Sequence, residues 1–592
     1  MDFFESQARA HRKTKWLIVY FVLAVLGIIA TIHISAALAF GEPLNDWSLL
    51  GMISAGVISV VVIGAVYRIS ELAHGGGVVA QMLGGRLVAP HTTDLREQQL
   101  RNVVEEMALA SGVPVPDVYV LDDESAINAF AAGNTPGDAV VAVTRGTLEN
   151  LTRDELQGVI AHEFSHILNG DMRLNIRLIG VLHGILLLAI LGQLVFRMGA
   201  WGGGSVRSSS DNKNSSAIPL FAIGAALWLI GCIGVFFAKL IKAAVSRQRE
   251  FLADASAVQF TRNPDGISAA LYKIGQLTSK LQSPRAEEAS HLFFGNGLGE
   301  SFMELFATHP PIDERIKAIN PSFEPSQVRN VAAPETPAVK PSAPALAKTL
   351  LAAMPAFAIA AAHETASAVP LIYALLLSKD ERTRAKQLAA ITLTPQERAE
   401  VEKDIPRSAE ISDAISMMDL CLPALRQLSK PQYEGFRENV LKLIACDGEV
   451  DLFEFVLHQA LVRHVDHYFT KSRGPAIRYK SVVPLLPDIA IALSTIATYS
   501  GGADAAFHAG VQALMLKPDA FPMKRADATD FSAFAAALER FAEADPETRR
   551  KILNACNQAA RQDGVIHPNE AALLRVISDV LGAPQLDAGN VA

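Results

Sequence analysis

The sequence predicts a mainly α-helical protein with four transmembrane helices, a domain containing a small β-sheet carried on them, and an all-α domain at the C-terminal end. Three observations lead there. Half of the 592 residues are apolar and only 19% are charged, against a usual ~25%, and mean hydropathy is +0.24. Four apolar stretches approach the ~20 residues a helix needs to cross a bilayer. Beyond a Pro- and Ala-rich break at 321–345 the chain becomes Ala/Leu-rich with polar interruptions, as in soluble helices. The formal charge of −8 gives no general attraction for phosphates, so nucleic acid is not an expected partner. Cys232, Cys421, Cys446 and Cys556 lie far apart without CxxC pairing, which argues against a disulfide framework or a thiolate metal cage.

The apolar stretches run from Trp16 to Phe40, Trp47 to Tyr67, Leu178 to Phe196 and Ala217 to Ala238. Arg9, Arg12, Lys13 and Lys15 precede the first, and Arg68 follows the second. The connection between them carries only acidic charge. The positive-inside rule therefore puts both outer ends of this hairpin (residues 1–70) in the cytoplasm. Arg173 and Arg177 before the third span, and Lys239, Lys242, Arg247 and Arg249 after the fourth, place those ends on the same side. A cleaved signal peptide is the other reading of the first span, but its apolar run exceeds the usual ~7 to 15 residues. His183, inside the third span, reads as a helix-packing group.

Between the second and third spans, in a domain expected over 71–320, Thr152 and Glu155 form a capping-box pattern that starts a helix. That helix carries His162-Glu163-Phe164-Ser165-His166. At 3.6 residues per turn the two imidazoles share a face and can hold one zinc ion, with Glu163 beside them as a proton acceptor for an attacking water. The chance reading is a solvated helix. An intramembrane site is disfavoured by Asp154, Glu155, Gln157, Ser165 and Asn169, which are too polar for lipid. A catalytic zinc normally takes three protein ligands and keeps one position open. The extended motif HExxHxxGxxH is excluded, because Asn169 and Met172 stand where it needs Gly and His. After the fourth span Glu250 and Asp254 share a helix face. They fit a third ligand and an acceptor that orients a ligating imidazole, although this segment alone more often reads as a solvated charge face balancing Arg247 and Arg249. Glu250 follows Ala238 by 12 residues, about 18 Å of unbroken helix. The metal would then lie within about 20 Å of the cytoplasmic lipid boundary.

His162-Glu163-x-x-His166, followed after two spans by Arg249-Glu250-Phe251-x-Ala253-Asp254, resembles the HtpX-type membrane metallopeptidases, relatives of the CAAX prenyl endopeptidase. Ile127 to Gly133, Val140 to Gly146, and Thr308-His309-Pro310-Pro311 with Arg315 share the resemblance, which covers about residues 1–320. It implies a gluzincin-type zinc protease fold with one Zn2+ per chain held by His162, His166 and Glu250. By the same resemblance, His309 lies in the active site, and the Asn128-Ala129-Phe130 segment with Val141 and Val143 forms the sheet edge against which substrate pairs. The Val-rich run Ala139 to Thr144 suits a strand, whether edge or core. His309, rigidly held before two prolines, could donate to a developing oxyanion. Arg315 could clamp a carboxylate of the site or form a surface salt bridge.

After the linker at 321–345, the region 346–592 contains two similar segments. Leu443 to Glu454 and Ala559 to Glu570 each read helix, Asp-Gly turn, helix. They resemble the hairpin of TerB-like tellurite-resistance domains. Asp447, Glu454, Asp563 and Glu570 could bind a divalent cation or cap helices; the twelve-residue calcium loop is absent. A regulatory or partner-binding role is expected here, with zinc binding independent of it.

Together these features predict a multi-pass inner-membrane zinc endopeptidase with cytoplasmic catalytic and C-terminal domains. Its expected substrates are polypeptides, chiefly membrane proteins, in quality control or the stress response. Two alternatives are a catalytically silent membrane scaffold and a CAAX prenyl-protein processing protease. The latter would need more spans than this chain has.

Overall fold

The computed structural model describes residues 21–34, 36–37, 43–72, 75–202, 249–276, 294, 310–325, 328, 354, 356–402, 411–448, 450–470, 477–514, 525 and 531–582. Within them the chain is mainly helical, with one small four-stranded sheet. Two compact units divide it. The first comprises Met1–Leu87, Tyr119–Thr135 and Ala139–Ala332, and the second Val88–Val118, Pro136–Asp138 and Ala333–Ala592.

In the first unit the helix Trp47–Leu72 is long and apolar enough to cross a membrane. Met52, Ile63, Val66 and Tyr67 are exposed on its surface. It packs along the helix Asp171–Gly202, which contains the third expected span. Small residues set the approach: a Cβ on Gly184 would come within 2.3 Å of the Val61 carbonyl oxygen, so glycine is required for this close crossing. Ala24 and Ile28, from the helical residues 21–34, join Val57, Val61, Ile185 and Leu188 in one buried cluster. Of the four expected spans, the first is described only at 21–34 and 36–37, and the fourth (217–238) lies outside the described residues.

The sheet has the order β1 (Arg86–Leu87), β2 (Asp117–Leu121), β4 (Val140–Thr144), β3 (Ala129–Ala132). β3 and β4 pair antiparallel, with Ala129 opposite Val143 and Ala131 opposite Val141. This corrects one expectation. β4 is an interior strand, its main chain flanked on both sides and Val141 and Val143 fully buried, so neither valine can lie on the substrate edge. Among the described strands the edges of the sheet are β1 and β3. The Phe130 side chain is buried in the core with Leu72, Val79, Tyr119 and Ile176.

The register fixes which β3 groups face outward. The Thr144 N–H donates to the Asn128 carbonyl at 3.0 Å, and bonding alternates along an antiparallel pair. Asn128, Phe130 and Ala132 therefore turn their main chain toward β4, while Ala129 and Ala131 turn theirs to the open side. Beside β3 runs the helix Arg153–Asn169. Thr152 and Glu155 close a full capping box at its start, and Gly170 ends it in the left-handed conformation at φ 69°. Gly158 lets this helix press on Ile267 of the helix Pro264–Gln276.

Among its described residues the second unit is mainly α-helical. Its helix Leu95–Ser111 is capped by Asp94 and terminated at Gly112. Buried Arg426 donates to the carbonyls of Val115 (2.9 Å), Gly137 (3.2 Å) and His464 (3.2 Å), and His363 lies 3.0 Å from Glu105. The two sequence repeats fold alike: Lys430–Ile444 turns into Leu452–His464, and Pro546–Ala560 into Pro568–Leu581. Gly448 (φ 83°) and Gly564 (φ 88°) make the turns, which need the left-handed backbone that glycine adopts freely. Glu454 and Glu570 complete capping boxes with Asp451 and His567, which favours capping over a cation for these carboxylates.

Candidate metal centre

The capped helix Arg153–Asn169 brings His162 and His166 to one face, and the helix at 249–261 brings Glu250 to meet them. Their donor atoms all lie within 4.8 Å of one another, and among the described residues no other group of three or more His, Cys, Asp or Glu is so placed. The two Nε2 atoms are 3.2 Å apart. Glu250 Oε2 is 3.6 Å from the His162 nitrogen, and Oε1 is 3.8 Å from that of His166.

Each imidazole is held from behind. His162 Nδ1 is 2.9 Å from Asp254 Oδ1, and His166 Nδ1 is 3.0 Å from Asp171 Oδ2. Each aspartate is braced by an arginine in turn. Arg315 grips both oxygens of Asp254, Nε at 2.8 Å and Nη2 at 2.7 Å, and Arg249 Nη1 lies 2.7 Å from Asp171. With Nδ1–H donating to a carboxylate, each Nε2 carries a lone pair, and two lone pairs 3.2 Å apart repel unless a cation or proton lies between them. Two nitrogens on a tetrahedral zinc at 2.0–2.1 Å are roughly 3.3 Å apart. The donor set fits zinc in atom type, number and spacing.

The electrostatics favour positive charge at this point. Burial drives His162 down to about 4, against the pull of Asp254 and Glu250. Burial also opposes charge on His166, yet Asp171, Glu250 and Glu163 together lift it to about 9. Burial pushes the Glu163 carboxyl up to about 7, with His166 opposing and Glu250 adding to the rise. Both Glu163 oxygens are buried without a hydrogen-bond partner of normal geometry; His166, the Ala131 amide on β3 and Arg315 favour its charged form. A buried carboxylate left in this way is costly unless it has a proton or ligand to meet.

Arg315 is 1% exposed and 3.4 Å from Glu250, so it is buried among these carboxylates. Asn128 is buried; its Oδ1 accepts the Ala129 N–H at 3.0 Å, and its own N–H donates to Thr144 and Thr147. It thus locks the start of β3. His309 lies outside the described residues. Sequence reasoning missed Asp171, Arg249 as its brace, and Phe294, whose ring packs edge-on against His162 with centroids 4.6 Å apart. The only signal for Asp171 was its place opening a helix just after the Gly170 turn, where an acidic residue is common anyway.

Comparison with known proteins adds the following. Residues 94–322 match the model of peptidase family M48, and residues 511–591 match that of the tellurite resistance protein TerB. A "Protease HtpX homolog" of Streptococcus uberis is 35% identical over 320 residues, which is 53% of this chain and 98% of that protein. One from Thermoanaerobacter pseudethanolicus is 44% identical over 220 residues, 37% of this chain and 70% of that protein. The crystal structure of S. mikatae Ste24p aligns with a TM-score of 0.25 at 15% identity, covering 53% of this chain and 66% of that one.

Proposed function

The chain belongs to peptidase family M48 and is a metallopeptidase, and from that premise we propose that it is a zinc-dependent endopeptidase acting on membrane-associated polypeptides at the cytoplasmic face of the inner membrane. The observation that carries this reading is the pair of imidazole Nε2 atoms 3.2 Å apart, facing Glu250 while Asp254 and Asp171 take their Nδ1 atoms. His162, His166 and Glu250 would hold one zinc ion. Bound there, zinc supplies Lewis acidity that polarises a carbonyl and makes water acidic near neutral pH.

Glu163 is the proton carrier. A carboxyl raised to about 7 by burial is matched to taking a proton from attacking water and returning it to the leaving amine. Asp254 with Arg315, and Asp171 with Arg249, keep each imidazole in one tautomer and orientation. β3 offers outward main-chain groups to an extended peptide, which gives recognition with little dependence on sequence. His309 is assigned to the oxyanion side. The chain path supports the membrane setting: Gly170 alone separates the His162 helix from Asp171–Gly202, which packs on the membrane-length helix Trp47–Leu72. Emerging or damaged membrane proteins are therefore the substrates, in a quality-control or stress role, with the C-terminal helices as a partner-binding module.

The test is cleavage of casein and of a membrane-protein substrate by the purified full chain, with and without a chelator. Loss of both cleavages on chelation is expected, with recovery on adding zinc; cleavage that persists in chelator would refute the proposal.

A further inference from the structure

Phe294 touches the site in four ways. Its N–H donates to the Ala129 carbonyl at 2.8 Å, on the open side of β3. Its own carbonyl accepts from Arg315 Nη1 at 3.3 Å. Its ring stands edge-on to His162, and the Arg315 guanidinium lies over the same ring, 4.9 Å from the centroid. The residue is 2% exposed. Both main-chain groups of one residue are thus satisfied by the site, and its side chain fills the apolar space beside a metal-type ligand.

A peptide added to a sheet edge binds by these same contacts, main-chain N–H to strand carbonyl and side chain to an adjoining pocket. We infer that Phe294 occupies the place of a substrate residue, and that this subsite takes a large apolar, preferably aromatic, side chain from a strand paired to β3 at Ala129. The inference rests on the peptidase reading above and adds its specificity. Main-chain bonding to Ala129 and Arg315 admits any extended peptide, and the volume now filled by the Phe294 ring selects which residue sits beside His162. A substrate has to take the Ala129 carbonyl from Phe294, so Phe294 also competes with substrate inside its own chain.

The test uses the full chain in detergent with zinc, and a synthetic peptide spanning residues 290–298. That peptide should inhibit degradation of labelled casein. The same peptide carrying Phe294→Ala should need about tenfold more, the change expected when one large apolar side chain loses its pocket. Equal potency of the two peptides overturns the inference. In the whole chain, Phe294→Ala should lower the KM for casein several-fold, because the internal competitor is gone. A raised KM with lost zinc would mean that the ring only buttresses His162, and would also overturn it. Phe294→Leu, which keeps an apolar occupant, should stay near the parent KM and controls for folding. Binding of the labelled peptide to the Glu163→Gln chain separates the two readings. Aromatic-dependent binding without hydrolysis by any form refutes the peptidase reading alone, whereas hydrolysis without aromatic preference refutes this inference alone.

Discussion

At the scale of single residues, His162 and His166 are useful only because Asp254 and Asp171 hold them at Nδ1. Weakening such a partner commonly costs 10–100-fold in metal affinity. Asp171→Ala should therefore lower zinc affinity by about that factor, measured by competition with a chromophoric chelator; an unchanged affinity would show that Arg249 and Asp171 serve packing alone. Glu163 differs in kind, because it is not among the three clustered donors and its oxygens have no hydrogen-bond partner of normal geometry. Glu163→Gln should keep one zinc per chain while casein hydrolysis falls by at least about 100-fold, the lower range for losing a general base. The His162 pair and Glu163 were legible in the sequence because helical spacing is local information. Asp171 and Phe294 were not, since what they touch is set by chain segments that meet only in the fold.

At the scale of elements, the Val-rich run at 139–144 was legible as a strand but not as an interior one. A run buried on both faces reads the same at the centre or the edge of a sheet, and here the crossover order places β3 outside β4. The helix start was legible to the residue, and Thr152 and Glu155 form the capping box that the pattern announced. Thr152→Ala should cost about 1 kcal/mol, read as a lower midpoint of thermal unfolding of the zinc-free chain. In the first repeat hairpin, burial raises Glu454 to about 7 although the Asp451 amide opposes it. The folded state therefore binds a proton that the unfolded state, near 4.5, releases. Its contribution to stability is complete below pH 4.5 and is lost as the pH rises through about 7. Amide exchange in Leu452–His464 should report a hairpin that opens more readily at pH 8 than at pH 5, and Glu454→Gln should flatten that difference.

At the scale of the molecule, the sequence boundary near 321–345 and the grouping by contacts do not coincide. The segments Val88–Val118 and Pro136–Asp138 belong to the same compact unit as the C-terminal helices, although much of them falls inside the peptidase match. Arg426 and His363 supply the partners of Val115, Gly137 and Glu105. A chain ending before Ala333 loses those partners but keeps His162, His166 and Glu250. It should still bind zinc, as the sequence suggests, while amide exchange in Leu95–Ser111 speeds up at least about tenfold, since local opening is governed by such packing; full protection of that helix would show that the tail is a detachable appendage. Hydropathy made the membrane-length helix Trp47–Leu72 legible. The glycine-mediated crossing of Asp171–Gly202 over Trp47–Leu72 was not, because it depends on which glycines face each other.

The most direct test of the central claim is zinc-edge X-ray absorption on the full chain loaded with one equivalent of metal. The account predicts two imidazole nitrogens and oxygen at about 2.0–2.2 Å. A zinc shell without two imidazoles would contradict it.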